Sequence, residues 1–105
     1  MADTKTDATV KPRIEPKLDL APPTLFKIIY INDEVTTMEF VIESLRSVFD
    51  YDTEDAHALC MRVHEDGSAV VATLPYEIAE QKGIEVTILA RNNGFPLQVK
   101  LEPDN

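Results

Sequence analysis

A single cysteine, Cys60, means that no disulfide can form within the 105-residue chain and fits a reducing compartment. Tryptophan is absent and there are only three glycines, Gly67, Gly83 and Gly94. So few glycines leave no phosphate-cradling loop, and neither a nucleophile elbow nor a paired-cysteine motif is present. Catalysis has no obvious home. No apolar run reaches signal or transmembrane length, and acidic residues in the first twenty positions argue against a transit peptide. The expected location is cytoplasmic. Positive charge is scarce too: the net charge is −9. Phosphate backbones and anionic lipid would be repelled, which argues against nucleic-acid and membrane partners and favours a cationic ligand or a basic protein surface.

What is present divides at residue 23. Residues 1–23 hold Pro12, Pro16, Pro22 and Pro23 and balanced charges, with no helical or strand periodicity. Such a composition predicts a mobile N-terminal extension. Residues 24–105 carry the whole −9 and enough apolar residues for one small core.

Within them "LFKIIYI" reads as a central strand, apolar on both sides. Met38, Val41, Ile42, Leu45, Val48 and Phe49 then fall on one helical stripe, and Thr36 with Glu39 matches a capping box. A second helix is expected from Thr53 as N-cap to Gly67, with Ala56, Leu59, Cys60 and Val63 inward. "SAVVATL" reads as a strand, Pro75 opens a third helix that "NNG" closes, and "PLQVKLE" alternates as a half-buried strand. The order β-α-α-β-α-β predicts an α+β open-faced sandwich, with a three-stranded antiparallel sheet and three helices on one side.

The junction "INDEVTTMEF" stands out. Asn32, Asp33 and Glu34 lie where such residues ordinarily stabilise a turn. Three acceptor-bearing side chains in succession exceed what a turn requires, and the excess suits a cation. His64, in the last turn of the second helix, reads most simply as a helix-terminating histidine. His57, Cys60 and His64 share a face, but their spacing is poor for chelation, so neither a metal nor another cofactor is expected. A small metal-dependent hydrolase built on His57, His64, Glu65 and Asp66 is the lower-ranked alternative.

These stretches resemble the ClpS family, adaptors that deliver N-degron substrates to the Clp AAA+ protease. "NDEVTTMEFVIESL" is similar to the family's N-D-D-x-T-P-M-E-F-V signature. "AHALCMRVHEDGSAVV", "YEIAEQK" and "FPLQVKLEP" resemble later family segments in the same order over residues 24–103. The resemblance implies the same sandwich behind a mobile extension, which the family feeds toward the unfoldase pore.

It further implies that Asn32, Glu34 and His64 bind the free α-amino group of a substrate's first residue, with Asp33 as an additional acid. Ile31, Thr36, Met38, Val41, Cys60, Val63 and Leu97 would line a pocket for that residue's bulky apolar side chain. In the family the methionine at Met38 bars β-branched side chains. From pattern alone Val41 and Val63 read as core or pocket equally well. Glu77 and Lys82 match positions that contact the N-terminal domain of the unfoldase, ClpA-like or ClpC-like, although an exposed helix face would look the same. The chain departs from the family pattern at Glu34, which replaces an aspartate, at Thr37, which replaces a proline at the first helical position, and at Cys60, which replaces a methionine. The smaller Cys60 predicts a roomier pocket. Together the three departures keep open the alternative of a divergent paralogue that docks on the unfoldase without reading N-termini.

Overall fold

The computed structural model describes residues 23–105, so the expected mobility of the preceding segment lies outside the described residues. The elements follow the expected order: β1 (Leu25–Ile31), α1 (Met38–Phe49), α2 (Thr53–Asp66), β2 (Ser68–Pro75), α3 (Tyr76–Asn92) and β3 (Gln98–Pro103). β1 is central, with β2 and β3 antiparallel on either side. Ile28 and Tyr30 are fully buried on the helix-covered side. Their alternates Ile29 and Ile31 pair with exposed Val70, Lys100, Ser68 and Gln98 on the open face.

The β1–β2 ladder is interrupted between Ile28 and Ile29, where Val71 is an extra residue on β2. Val71 is nonetheless buried. A bulge bends a strand and leaves one residue outside the ladder, and the Tyr51 hydroxyl donates to the Val71 carbonyl there. A main-chain acceptor at the irregularity is thus satisfied from the α1–α2 connection.

α1 buries Val41, Leu45 and Val48 as its stripe predicts, and also Phe40 and Ser44. Ile42 and Phe49 are only half-buried, and Met38 lies at the surface. Ser44 survives in the core because its hydroxyl donates to the Val41 carbonyl at 2.8 Å and meets the Tyr30 hydroxyl at 2.7 Å. With the Ser44 proton committed, Tyr30 is the donor in that pair, and burial pushes the phenol pKa well up despite the bond to Ser44.

Two helix starts move by one residue. Thr37, not Thr36, caps α1, its hydroxyl accepting from the Phe40 N–H. Thr37 is therefore not the first helical residue. Asp52, not Thr53, caps α2 by accepting from the Asp55 N–H. α2 buries Ala56, Cys60 and Val63, leaves Leu59 half-buried, and ends at Gly67, whose φ of 87° suits glycine.

Candidate functional site

β1 delivers the chain to the junction, where two sets of bonds fix the path of residues 32–36. The Asn32 N–H donates to the Gly67 carbonyl at 2.9 Å, tying the end of β1 to the end of α2. The Asp33 carboxylate then organises the turn. Its Oδ1 accepts from the N–H groups of Val35 at 2.8 Å and Thr36 at 2.7 Å, and its Oδ2 accepts the Thr36 hydroxyl at 2.8 Å. Burial alone would raise the Asp33 pKa. The bonds from Thr36 and Val35, with the positive charge of Arg91, outweigh it and hold the carboxyl below the usual range.

The Asn32–Gly67 bond brings the turn beside the last turn of α2, which carries His64. Between turn and helix lies a cavity of about 250 Å³ lined by Asn32, Asp33, Glu34, Thr36, Met38, Val41, Cys60, Val63 and His64. Val41, Cys60 and Val63 are buried, whereas Met38 is 37 % exposed at the rim. The arrangement has an apolar interior and a polar mouth. Among the described residues the side chains of Asn32, Glu34 and His64 have no hydrogen-bond partner. Three acceptors at the mouth of an apolar cavity suit a cationic head joined to an apolar body.

Cys60 is a wall and not a nucleophile. It is 2 % exposed, its thiol lies 3.7 Å from the Met38 carbonyl, and burial pushes its pKa up. The neutral thiol therefore behaves as a small apolar surface.

Two expected pocket residues do not line this cavity. Ile31 lines a separate groove with Thr87, Arg91, Gln98, Val99 and Lys100. Leu97 is buried, 1 % exposed, just ahead of β3. Glu77 is exposed near the start of α3, whereas Lys82 is half-buried and donates to the Val48 carbonyl at 2.8 Å, near the end of α1. The ammonium of Lys82 has a structural use.

Arg91 was not legible as a site residue. It donates to the carbonyls of Phe95 and Leu97 at 3.0 and 2.9 Å and acts on Asp33 electrostatically. Its only sequence signal is a basic residue in the last turn of a helix, which the helix dipole already explains. Among the described residues no group of three or more His, Cys, Asp or Glu is placed to hold a metal ion, so His57, His64, Glu65 and Asp66 form no such centre.

A family model described as "ATP-dependent Clp protease adaptor protein ClpS" matches residues 21–100. The chain belongs to the ClpS family. Among curated relatives, the ClpS of Sodalis glossinidius is 47 % identical over 81 residues, covering 77 % of this chain and 76 % of that one. ClpS 2 of Agrobacterium fabrum is 38 % identical over 104 residues, 99 % of each chain. A solved structure of Agrobacterium tumefaciens ClpS2 bound to L-phenylalaninamide superposes with a TM-score of 0.77 at 38 % identity, covering 79 % of this chain and 100 % of that one.

ClpS proteins are adaptors of the Clp protease. Among the described residues no helix is long and apolar enough to cross a membrane. Of the departures from the ClpS signature, Thr37 has become the α1 cap, Cys60 forms part of the cavity wall, and Glu34 stands exposed at the mouth.

Proposed function

We propose that this chain reads the N-terminus of N-degron substrates in the cytoplasm and hands them to a Clp AAA+ unfoldase. Asn32, Glu34 and His64 accept the three N–H donors of the substrate's α-ammonium, and the cavity takes a Phe, Tyr, Trp or Leu side chain. The observation that carries this reading is the convergence of those three side chains, without partners among the described residues, on the mouth of one apolar cavity. Its size supports an aromatic guest, since an apolar cavity of about 150 Å³ accepts benzene and this one offers about 250 Å³. A relative of the same fold that holds L-phenylalaninamide adds weight.

Magnitudes fit an adaptor. Burying a Leu or Phe side chain contributes roughly 1.5–3 kcal/mol and each hydrogen bond to a charged group roughly 1.5–3 kcal/mol. Association and ordering cost several kcal/mol. The upper end of the balance, about 8 kcal/mol, corresponds to roughly micromolar affinity, tight enough to capture and weak enough to release.

Glu77 contributes to docking on the N-terminal domain of the unfoldase, and residues 1–23 serve as the arm fed toward its pore. The test is fluorescence anisotropy with peptides beginning Phe, Tyr, Trp, Leu, Ile, Arg or Ala, each with free and acetylated N-termini. Micromolar binding of the bulky apolar set, abolished by acetylation, is the expected result. Equal binding of free and acetylated peptides would end this reading.

A further inference from the structure

Asp33 and Glu34 are adjacent carboxylates on the lining of one cavity, yet their surroundings differ. A carboxylate offers about four lone-pair directions. Asp33 commits three of them inside the turn, to the Val35 N–H, the Thr36 N–H and the Thr36 hydroxyl. Glu34 is exposed and has no bonding partner among the described residues. The inward bonds of Asp33 do two things for the cavity. They close the chain between β1 and the α1 cap into one shape, with Asn32 already anchored to Gly67. They also hold the Thr36 side chain, which lines the cavity, in the turn through its hydroxyl.

We infer that Asp33 is a positioning residue: it shapes the rim from within so that Asn32 and Glu34 meet the substrate ammonium, and it is not itself a partner of that ammonium. The inference rests on the amine-reading function proposed above. It assigns different roles to two neighbouring acids that the ClpS signature presents as a pair. Arg91 reinforces the division, because its positive charge acts on the same carboxylate from the α3 side.

The two roles separate in a pair of substitutions on the full chain. In Asp33→Asn the side-chain oxygen still accepts from both N–H groups, and the new amide donates to the Thr36 oxygen, so the turn stays and the charge goes. In Asp33→Ala the turn itself is lost. A Phe-initiated peptide with a free or an acetylated N-terminus is titrated into each, and exchange of the Val35 and Thr36 amide hydrogens is followed by NMR without peptide. The expected result is free-peptide affinity within about 3-fold of the parent for Asp33→Asn with both amides protected. Asp33→Ala should bind about 10-fold or more weakly, with protection lost at those two amides. Equal losses in both variants, with protection intact in Asp33→Asn, would make Asp33 a direct charge partner and overturn the inference while leaving the proposed function standing. A parent chain that binds free and acetylated peptides alike would instead remove the function, and the inference with it.

Discussion

The turn between β1 and α1 and the outer side of α3 both carry charge, and they use it in opposite ways. In the turn one carboxylate is bonded inward, which leaves Asn32 and Glu34 exposed beside a cavity. On α3 a cation is bonded inward, Lys82 to the Val48 carbonyl, and Ile84 and Ile88 are left facing solvent, 55 % and 56 % exposed, among exposed Glu80, Glu85 and Arg91. The difference teaches that a charged side chain is assigned by the main-chain groups within its reach. Asp33 lies beside free N–H groups ahead of a helix, and Lys82 lies beside free carbonyls at a helix end. Each satisfies backbone first.

Breaking the outward half of the turn should produce the largest effect. Asn32→Ala and His64→Ala each remove one bond to a charged group, and each should weaken free-amine peptides by about 10- to 100-fold in anisotropy titrations.

The inward half of the comparison is broken on α3 by Lys82→Met, which strands the Val48 carbonyl. A loss of about 1.5 kcal/mol corresponds to a midpoint lowered by about 6–12 °C in a domain of this size, read by thermal denaturation. Glu77→Gln should stay within about 0.5 kcal/mol of the parent; a comparable loss in both would mean that Lys82 has no special structural use.

Cys60→Met sharpens the picture of the cavity by restoring the bulk of the family's usual residue. The ratio of Trp to Leu affinity should drop about 10-fold, the lower end of the effect of one methylene in an apolar pocket. An unchanged ratio would show that Cys60 does not set the guest's size.

The smallest effect concerns acid stability. A carboxyl held below its usual pKa contributes stability that is fully present above the ordinary carboxylate range and lost as pH falls through its own lowered value. Asp33→Asn should therefore flatten the acid limb of the stability curve in urea titrations. A limb as steep as the parent's would place that contribution elsewhere.

Much of the architecture was legible in the residues. "LFKIIYI" announced a central strand and Gly67 a helix end, because strand composition and the left-handed cap are local properties. The two caps sit one residue away from their expected positions for a reason that composition hides. Thr36 has the right spacing to Glu39 for a capping box, but Asp33 captures its hydroxyl, so the capping duty passes to Thr37. At the second helix a carboxylate precedes the threonine and takes the cap itself. Ser44 sits in the core because its hydroxyl donates to the Val41 carbonyl and because Tyr30, fourteen positions earlier, crosses from the sheet to meet it. The bulge at Val71 belongs to the pairing of two strands and has no mark in either. At the site the acidic junction could be seen, but the division of labour between Asp33 and Glu34 could not, since it depends on which N–H groups the turn leaves open. Ile31 and Leu97 are expected in the pocket by resemblance alone; in the fold Ile31 lines a separate groove and Leu97 is buried in the core.

The bond from the Asn32 N–H to the Gly67 carbonyl joins main chain to main chain, so no substitution that keeps the backbone path, short of proline at position 32, removes it. The two halves of the mouth, far apart along the chain, keep their alignment through substitutions that leave the Asp33 turn intact. On the function proposed above, Met38 and Cys60 can therefore be exchanged one at a time, by drift or by design, and each exchange retunes the choice of guest without dismantling the receptacle. Selectivity here is modular, with a fixed frame and replaceable facing.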